Sequence, residues 1–161
     1  MTTKSGPGGA AFLLAQLGAH AASRFGERMA EHDLTPPMAG IIGLLSAAPG
    51  TSQQDLAGRL GMLPSRLVAF VDDLEQRGLV QRVRDEADRR RNSLQLTQAG
   101  RAALATIGKA AREHEATLCA ALSKREREQL ARLLGRIADE QGLTRGVHPG
   151  YRSVKAPRAR S

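Results

Sequence analysis

Residues 51–100 read TSQQDLAGRL GMLPSRLVAF VDDLEQRGLV QRVRDEADRR RNSLQLTQAG, and the fold is decided there. Thr51-Ser52 supplies hydroxyl caps for a short helix through Leu60, with Leu56, Ala57 and Leu60 facing inward. Gly61 breaks it. Pro64, whose missing N–H is not needed in a first helical turn, opens another helix through about Gln76. Leu67, Phe70, Val71 and Leu74 form its buried stripe, and Gly78 stops it. The period then changes. Leu79-Val80-Gln81-Arg82-Val83 alternates as a strand. Asp85 to Asn92 is polar apart from Ala87 and reads as an exposed loop, and Ser93-Leu94-Gln95-Leu96 alternates again as the return strand. Thr97 caps a long helix through about Ala121, lined by Ala103, Ile107, Ala110, His114 and Leu118.

Residues 10–32 are Ala/Leu-rich, with Phe12, Leu13, Leu17, Phe25 and Met29 near helical spacing, and read as one long helix. Leu34-Thr35-Pro36-Pro37 starts the next, with Thr35 as cap and Pro36 at the first helical position. Its apolar residues Met38, Ile41, Ile42, Leu44 and Leu45 run to a stop at Pro49-Gly50. Downstream, Ser123-Lys124-Arg125-Glu126 is a capping box opening a last helix with Leu130, Leu133, Leu134 and Ile137 on one face. The order is four helices, a hairpin and two helices: mainly α with a small β-hairpin. Two short helices across a glycine turn, then a basic two-stranded hairpin, make a winged helix-turn-helix.

The 161 residues fit one domain, and 24 Lys+Arg against 16 Asp+Glu give a net charge of +8. Arg145, Arg152, Lys155, Arg158 and Arg160 put +5 of that charge after Glu140, in a Gly/Pro-containing stretch expected to be disordered. Six arginines (Arg77, Arg82, Arg84, Arg89, Arg90 and Arg91) fall between positions 77 and 91. A helix fits the major groove of duplex DNA, and an arginine-rich hairpin reaches the minor groove or phosphates beside it. With one Tyr, three Phe and no Trp, base-stacking recognition modules are disfavoured. The lone Cys119 excludes an intramolecular disulfide and reads as a small core residue. His20, His32, His114 and His148 show no ligand spacing, so no metal and no cofactor are expected. No nucleophile motif appears, and Gly6 to Gly9 lacks a following Lys-Ser/Thr, so nothing supports an enzyme. No apolar run approaches the roughly 20 residues of a membrane span. Met1 to Gly9 reads as a flexible leader without a signal-peptide pattern, and a cytoplasmic setting is expected. The alternative function is a nonspecific DNA-coating structural protein.

The sequence resembles the MarR family of bacterial transcriptional regulators. The resemblance rests on Leu34-Thr35-Pro36-Pro37, Leu56-Ala57 before Leu60-Gly61, Val71-Asp72 with Leu74-Glu75, and Arg77-Gly78-Leu79-Val80. Its sharpest part is Arg82, then Asp88-Arg89-Arg90, then Leu96-Thr97 and Gly100. It implies a homodimer built on helices from both chain ends, acting as a repressor on a pseudo-palindromic operator. Dimerisation helices at 10–33 and 98–141 would flank a DNA-binding part at 34–97, within a domain spanning 10–142. Outside it lie the leader 1–9 and a disordered basic tail at 143–161.

The resemblance also assigns roles. Ser65, Arg66, Val68 and Ala69 would face the groove, with Arg66 the candidate for reading guanine. Asp88 would brace Arg90 as it enters the minor groove, while Arg82, Arg84 and Arg89 would meet phosphates. Leu63 replaces the family's usual hydroxyl cap, and Asp72-Asp73 is expected to repel phosphates. A small aromatic or phenolic anion would bind near His20, Arg24, Phe25, Met38 and Ile42.

Overall fold

Six helices and one hairpin form where these caps and stops place them, as a computed structural model describing residues 8–84, 92–153 and 155 shows. The helices α1 (Ala10–Ala30), α2 (Pro36–Ala47), α3 (Gln53–Leu60) and α4 (Pro64–Gln76) come first. Strands β1 (Val80–Arg84) and β2 (Asn92–Leu96) follow, then α5 (Gln98–Leu118) and α6 (Lys124–Glu140). The strands pair antiparallel, with Val80 opposite Leu96 and Arg84 opposite Asn92. The segment before α3 adds to the far edge of β2, where Leu94 N–H donates to the Thr51 carbonyl at 3.0 Å and Gly50 N–H to the Leu94 carbonyl at 3.2 Å.

Side-chain caps open α3, α5 and α6. The Ser52 hydroxyl accepts from Asp55 N–H at 3.1 Å, and Ser123 and Glu126 satisfy each other's backbone donors. Thr35 holds the N-cap position of α2, but its hydroxyl makes no capping bond there; Pro36 and Pro37 preset that turn instead. Thr97 does more than cap. Its hydroxyl accepts from Gly100 N–H at 3.0 Å and donates to the Gly78 carbonyl at 2.6 Å. A methyl group on Gly100 would lie 2.0 Å from the Leu79 carbonyl oxygen, so only glycine lets α5 seat against the entry to the hairpin. The Leu-Thr-x-x-Gly pattern is therefore the joint between wing and long helix.

The core gathers Met29, Met38, Ile41, Ile42 and Leu45 with Leu56 and Leu60, the α4 stripe Leu67, Phe70, Val71 and Leu74, and Val80, Leu94, Leu96 and Ile107. Each fully buried Leu, Ile, Phe or Met contributes about 1.5–3 kcal/mol, which makes α3, α4 and the hairpin base one unit. The ends of the chain differ. Phe12, Leu13, Leu14 and Leu17 of α1 are exposed, as are Leu130, Leu133, Leu134 and Ile137 of α6. Cys119 is half-buried at the C-cap of α5, where the helix ends, rather than a core residue.

The expectation of a disordered tail at 143–161 is corrected for residues 143–153. Gly142 ends α6 at φ +67°, and Arg145 turns back to bind Asp139 through bonds of 3.1 and 2.6 Å. A 3-10 helix at Pro149–Ser153 then buries Tyr151, whose hydroxyl donates to the Pro36 carbonyl at 3.0 Å. One aromatic ring with a polar partner anchors a segment that has no hydrophobic periodicity.

Candidate nucleic-acid interface

The inward stripe of α4 fixes what its other face presents. With Leu67, Phe70, Val71 and Leu74 buried, Ser65 and Asp72 are exposed and Arg66, Val68 and Ala69 half-buried on the outer side. Leu63, at the N-cap, supplies no side-chain cap, and Pro64 opens the helix. The structure thus brings the four expected groove-facing residues onto one surface. It also shows Arg66 engaged: its Nη1 donates to the Arg152 carbonyl at 2.8 Å.

Arg82 sits elsewhere than a free phosphate contact would. Its guanidinium reaches Asp72 at 2.5 Å and also pairs with Glu75, both on α4, and Nε and Nη2 lie 3.4 Å from Oε1 of Gln53 on α3. Its backbone N–H donates to Glu75 at 3.2 Å. Burial opposes the charge, but the hydrogen bond donated to Asp72 and the charges of Glu75 and Asp72 outweigh it and hold the guanidinium above its ordinary pKa. Planar, multi-pronged donation suits Arg to such a bridge. Arg82 therefore ties the wing to both helices of the helix-turn-helix.

The feared repulsion from Asp72-Asp73 is answered within the protein. Asp72 is the partner of Arg82, and Asp73 takes Arg77 in a two-bond pair of 3.1 and 3.0 Å, while Arg77 Nη1 also donates to the Asp33 carbonyl. The signal for the second pair was present as the i, i+4 spacing of Asp73 and Arg77. Arg84 is exposed at the end of β1. Asp88, Arg89 and Arg90 lie outside the described residues.

The MarR family profile matches residues 32–91, which span the helix-turn-helix and the outgoing wing strand. A putative transcriptional regulatory protein for the hcr operon of Thauera aromatica is 36% identical over 111 residues, covering 69% of this chain and 67% of that protein. The transcriptional repressor CouR, solved bound to a 23-mer DNA duplex, is 37% identical with a TM-score of 0.72, covering 80% of this chain and 92% of CouR. PcaV from Streptomyces coelicolor, solved in complex with its natural ligand, is 27% identical with a TM-score of 0.67, covering 86% and 98%.

The chain belongs to the MarR family. It is a DNA-binding transcriptional regulator rather than an enzyme. The MarR-type effector residues expected from the sequence are not gathered as a set. Met38 and Ile42 are 1% and 0% exposed, spent on the core, because they occupy the inner face of α2. His20 is exposed, and exposed Arg24 binds Glu27 at 2.7 Å one helical turn along α1. Of these five residues, Phe25 lines a cleft, a cavity of about 330 Å³ between α1 and the start of α2. Ala22, Pro36 and Pro37 share its wall with His148, Gly150 and Tyr151 of the C-terminal segment, which no sequence pattern had pointed to. Phe25 also packs against His114 of α5, ring centroids 5.6 Å apart. Burial, then the charges of Arg28, Arg24 and His20, hold the His114 imidazole below its ordinary pKa. Among the described residues no helix is long and apolar enough to cross a membrane, and no cluster of His, Cys, Asp and Glu has the arrangement of a metal site.

Proposed function

We propose that the chain is a repressor that binds a pseudo-palindromic operator as a homodimer. The observation that carries this reading is the Arg82 bridge, which makes α3, α4 and the wing a single docking body with Ser65, Arg66, Val68 and Ala69 on its outer face. Arg66 is the base reader, Arg90 the minor-groove residue braced by Asp88, and Arg84 and Arg89 contact phosphates. The exposed apolar faces of α1 and α6 support dimerisation, since contiguous apolar surface of that kind marks an interface. A small aromatic anion is the effector, received in the cavity beside Phe25, which has the apolar wall and size of a small-ligand site.

Selection of bound fragments from random duplex DNA tests the reading. A regulator of this kind enriches an inverted repeat with half-sites about one helical turn apart. Enrichment of no sequence would instead favour a nonspecific DNA-coating protein.

A further inference from the structure

Consecutive residues of the C-terminal segment bind two functional parts of the molecule at once. The Tyr151 ring seats over Gly40 of α2, where a methyl group would lie 2.9 Å from the ring and its hydroxyl oxygen, and its phenol donates to the Pro36 carbonyl. The next residue, Arg152, gives its carbonyl to Arg66 and lays its side chain over Gly61 in the α3–α4 turn, 3.1 Å from where a Cβ would be. The segment is pinned at its start by the Arg145–Asp139 pair, so the two contacts dock or release together.

We propose that residues 143–153 are an intramolecular latch whose docked form holds Arg66 away from DNA, so that release of Tyr151 tightens operator binding. Reading a guanine takes both prongs of an arginine fork. A guanidinium donating Nη1 to the Arg152 carbonyl is tethered to the segment, and its side chain gives up that bond to extend toward a base edge. The apparent affinity then falls by the fraction of molecules that are undocked. A molecule in the cavity beside Phe25 touches both the body and the latch, so it weights the docked state. The inference rests on Arg66 reading the groove, and the test separates the two ideas.

Tyr151 is the single tyrosine and the chain has no tryptophan, so the ultraviolet pH titration of the phenol reports the latch alone. Burial pushes the Tyr151 phenol above the usual tyrosine range. In Gly40→Ala, which crowds the seat without touching the DNA-facing surface, it should fall back toward that range. Tyr151→Ala and Gly40→Ala should each bind the selected operator duplex about tenfold more tightly if the latch is docked in about nine-tenths of molecules. Tyr151→Phe, which keeps the ring, should shift affinity less. In an Arg66→Ala background, Tyr151→Ala should change nothing. Equal or weaker binding by Tyr151→Ala overturns the latch, and base reading by Arg66 survives that result if Arg66→Ala still loses sequence preference. If Arg66→Ala binds the operator as the wild type does, both ideas fall.

Discussion

Replacing Arg82 with alanine separates a structural bridge from a DNA contact. The Arg82 side chain is 23% exposed, while Asp72 and Glu75 are 50% and 39% exposed, so solvent screens both ion pairs. Screened pairs of this kind contribute about 0.5–1 kcal/mol each. With the weak Gln53 contact, the loss should be about 1–2 kcal/mol, or roughly 3–6 °C in Tm for a chain of this size. Arg82→Lys should recover little of it, because one ammonium cannot span Asp72, Glu75 and Gln53. Urea denaturation gives the stability, and operator titrations at several salt concentrations give the electrostatic slope. The bridge predicts lower stability, weaker operator binding through a displaced wing, and an unchanged slope. A direct phosphate contact predicts unchanged stability and a log–log slope smaller by about 0.9. The second pattern, with Arg82→Lys near wild type, would refute the reasoning.

Other expectations follow from the same surfaces. Arg90→Ala should weaken operator binding by about 1–3 kcal/mol, and Asp88→Ala should weaken it too although it removes a negative charge; tighter binding by Asp88→Ala in a gel-shift titration rejects the bracing role. Leu133→Glu or Ile137→Glu, each placing a charge on the exposed apolar face of α6, should convert a dimer to a monomer in sedimentation at micromolar concentration; a wild-type chain that is already monomeric there contradicts the dimer. Because His114 has its folded pKa lowered, its contribution to stability is complete above the unfolded value of about 6.5 and is lost as pH falls through the folded one. Urea midpoints between pH 7.5 and 5 should therefore fall less in His114→Gln than in the wild type, and parallel curves would remove His114 from the account.

The fold was legible because its signals are local and agree with one another. Gly61 and Gly78 adopt φ of +63° and +68° where each helix must end, and Leu67, Phe70, Val71 and Leu74 all bury as their spacing requires. Thr97 and Gly100 could be recognised as a pattern, but their reason, a helix pressed on the Leu79 carbonyl, exists only in three dimensions. The site was less legible. Periodicity identifies which face of α4 is outward but not which charges are already satisfied, so Arg82 read as free cation and Asp72-Asp73 as free anions. Met38 and Ile42 illustrate the opposite error, since an apolar residue on a helix looks the same whether it lines a cleft or fills the core. Tyr151 escaped entirely. A single ring meeting a glycine in a helix more than a hundred positions earlier leaves no trace in spacing or composition.

Base-pair substitution in the selected operator tests whether α4 reads sequence through Arg66. Wild-type protein and Arg66→Ala should be titrated against the operator and against versions with each G·C pair of a half-site exchanged. The wild type should lose about 1–3 kcal/mol at one pair per half-site, and Arg66→Ala should be indifferent at that pair while retaining discrimination elsewhere. Identical discrimination by the two proteins at every pair would contradict the account.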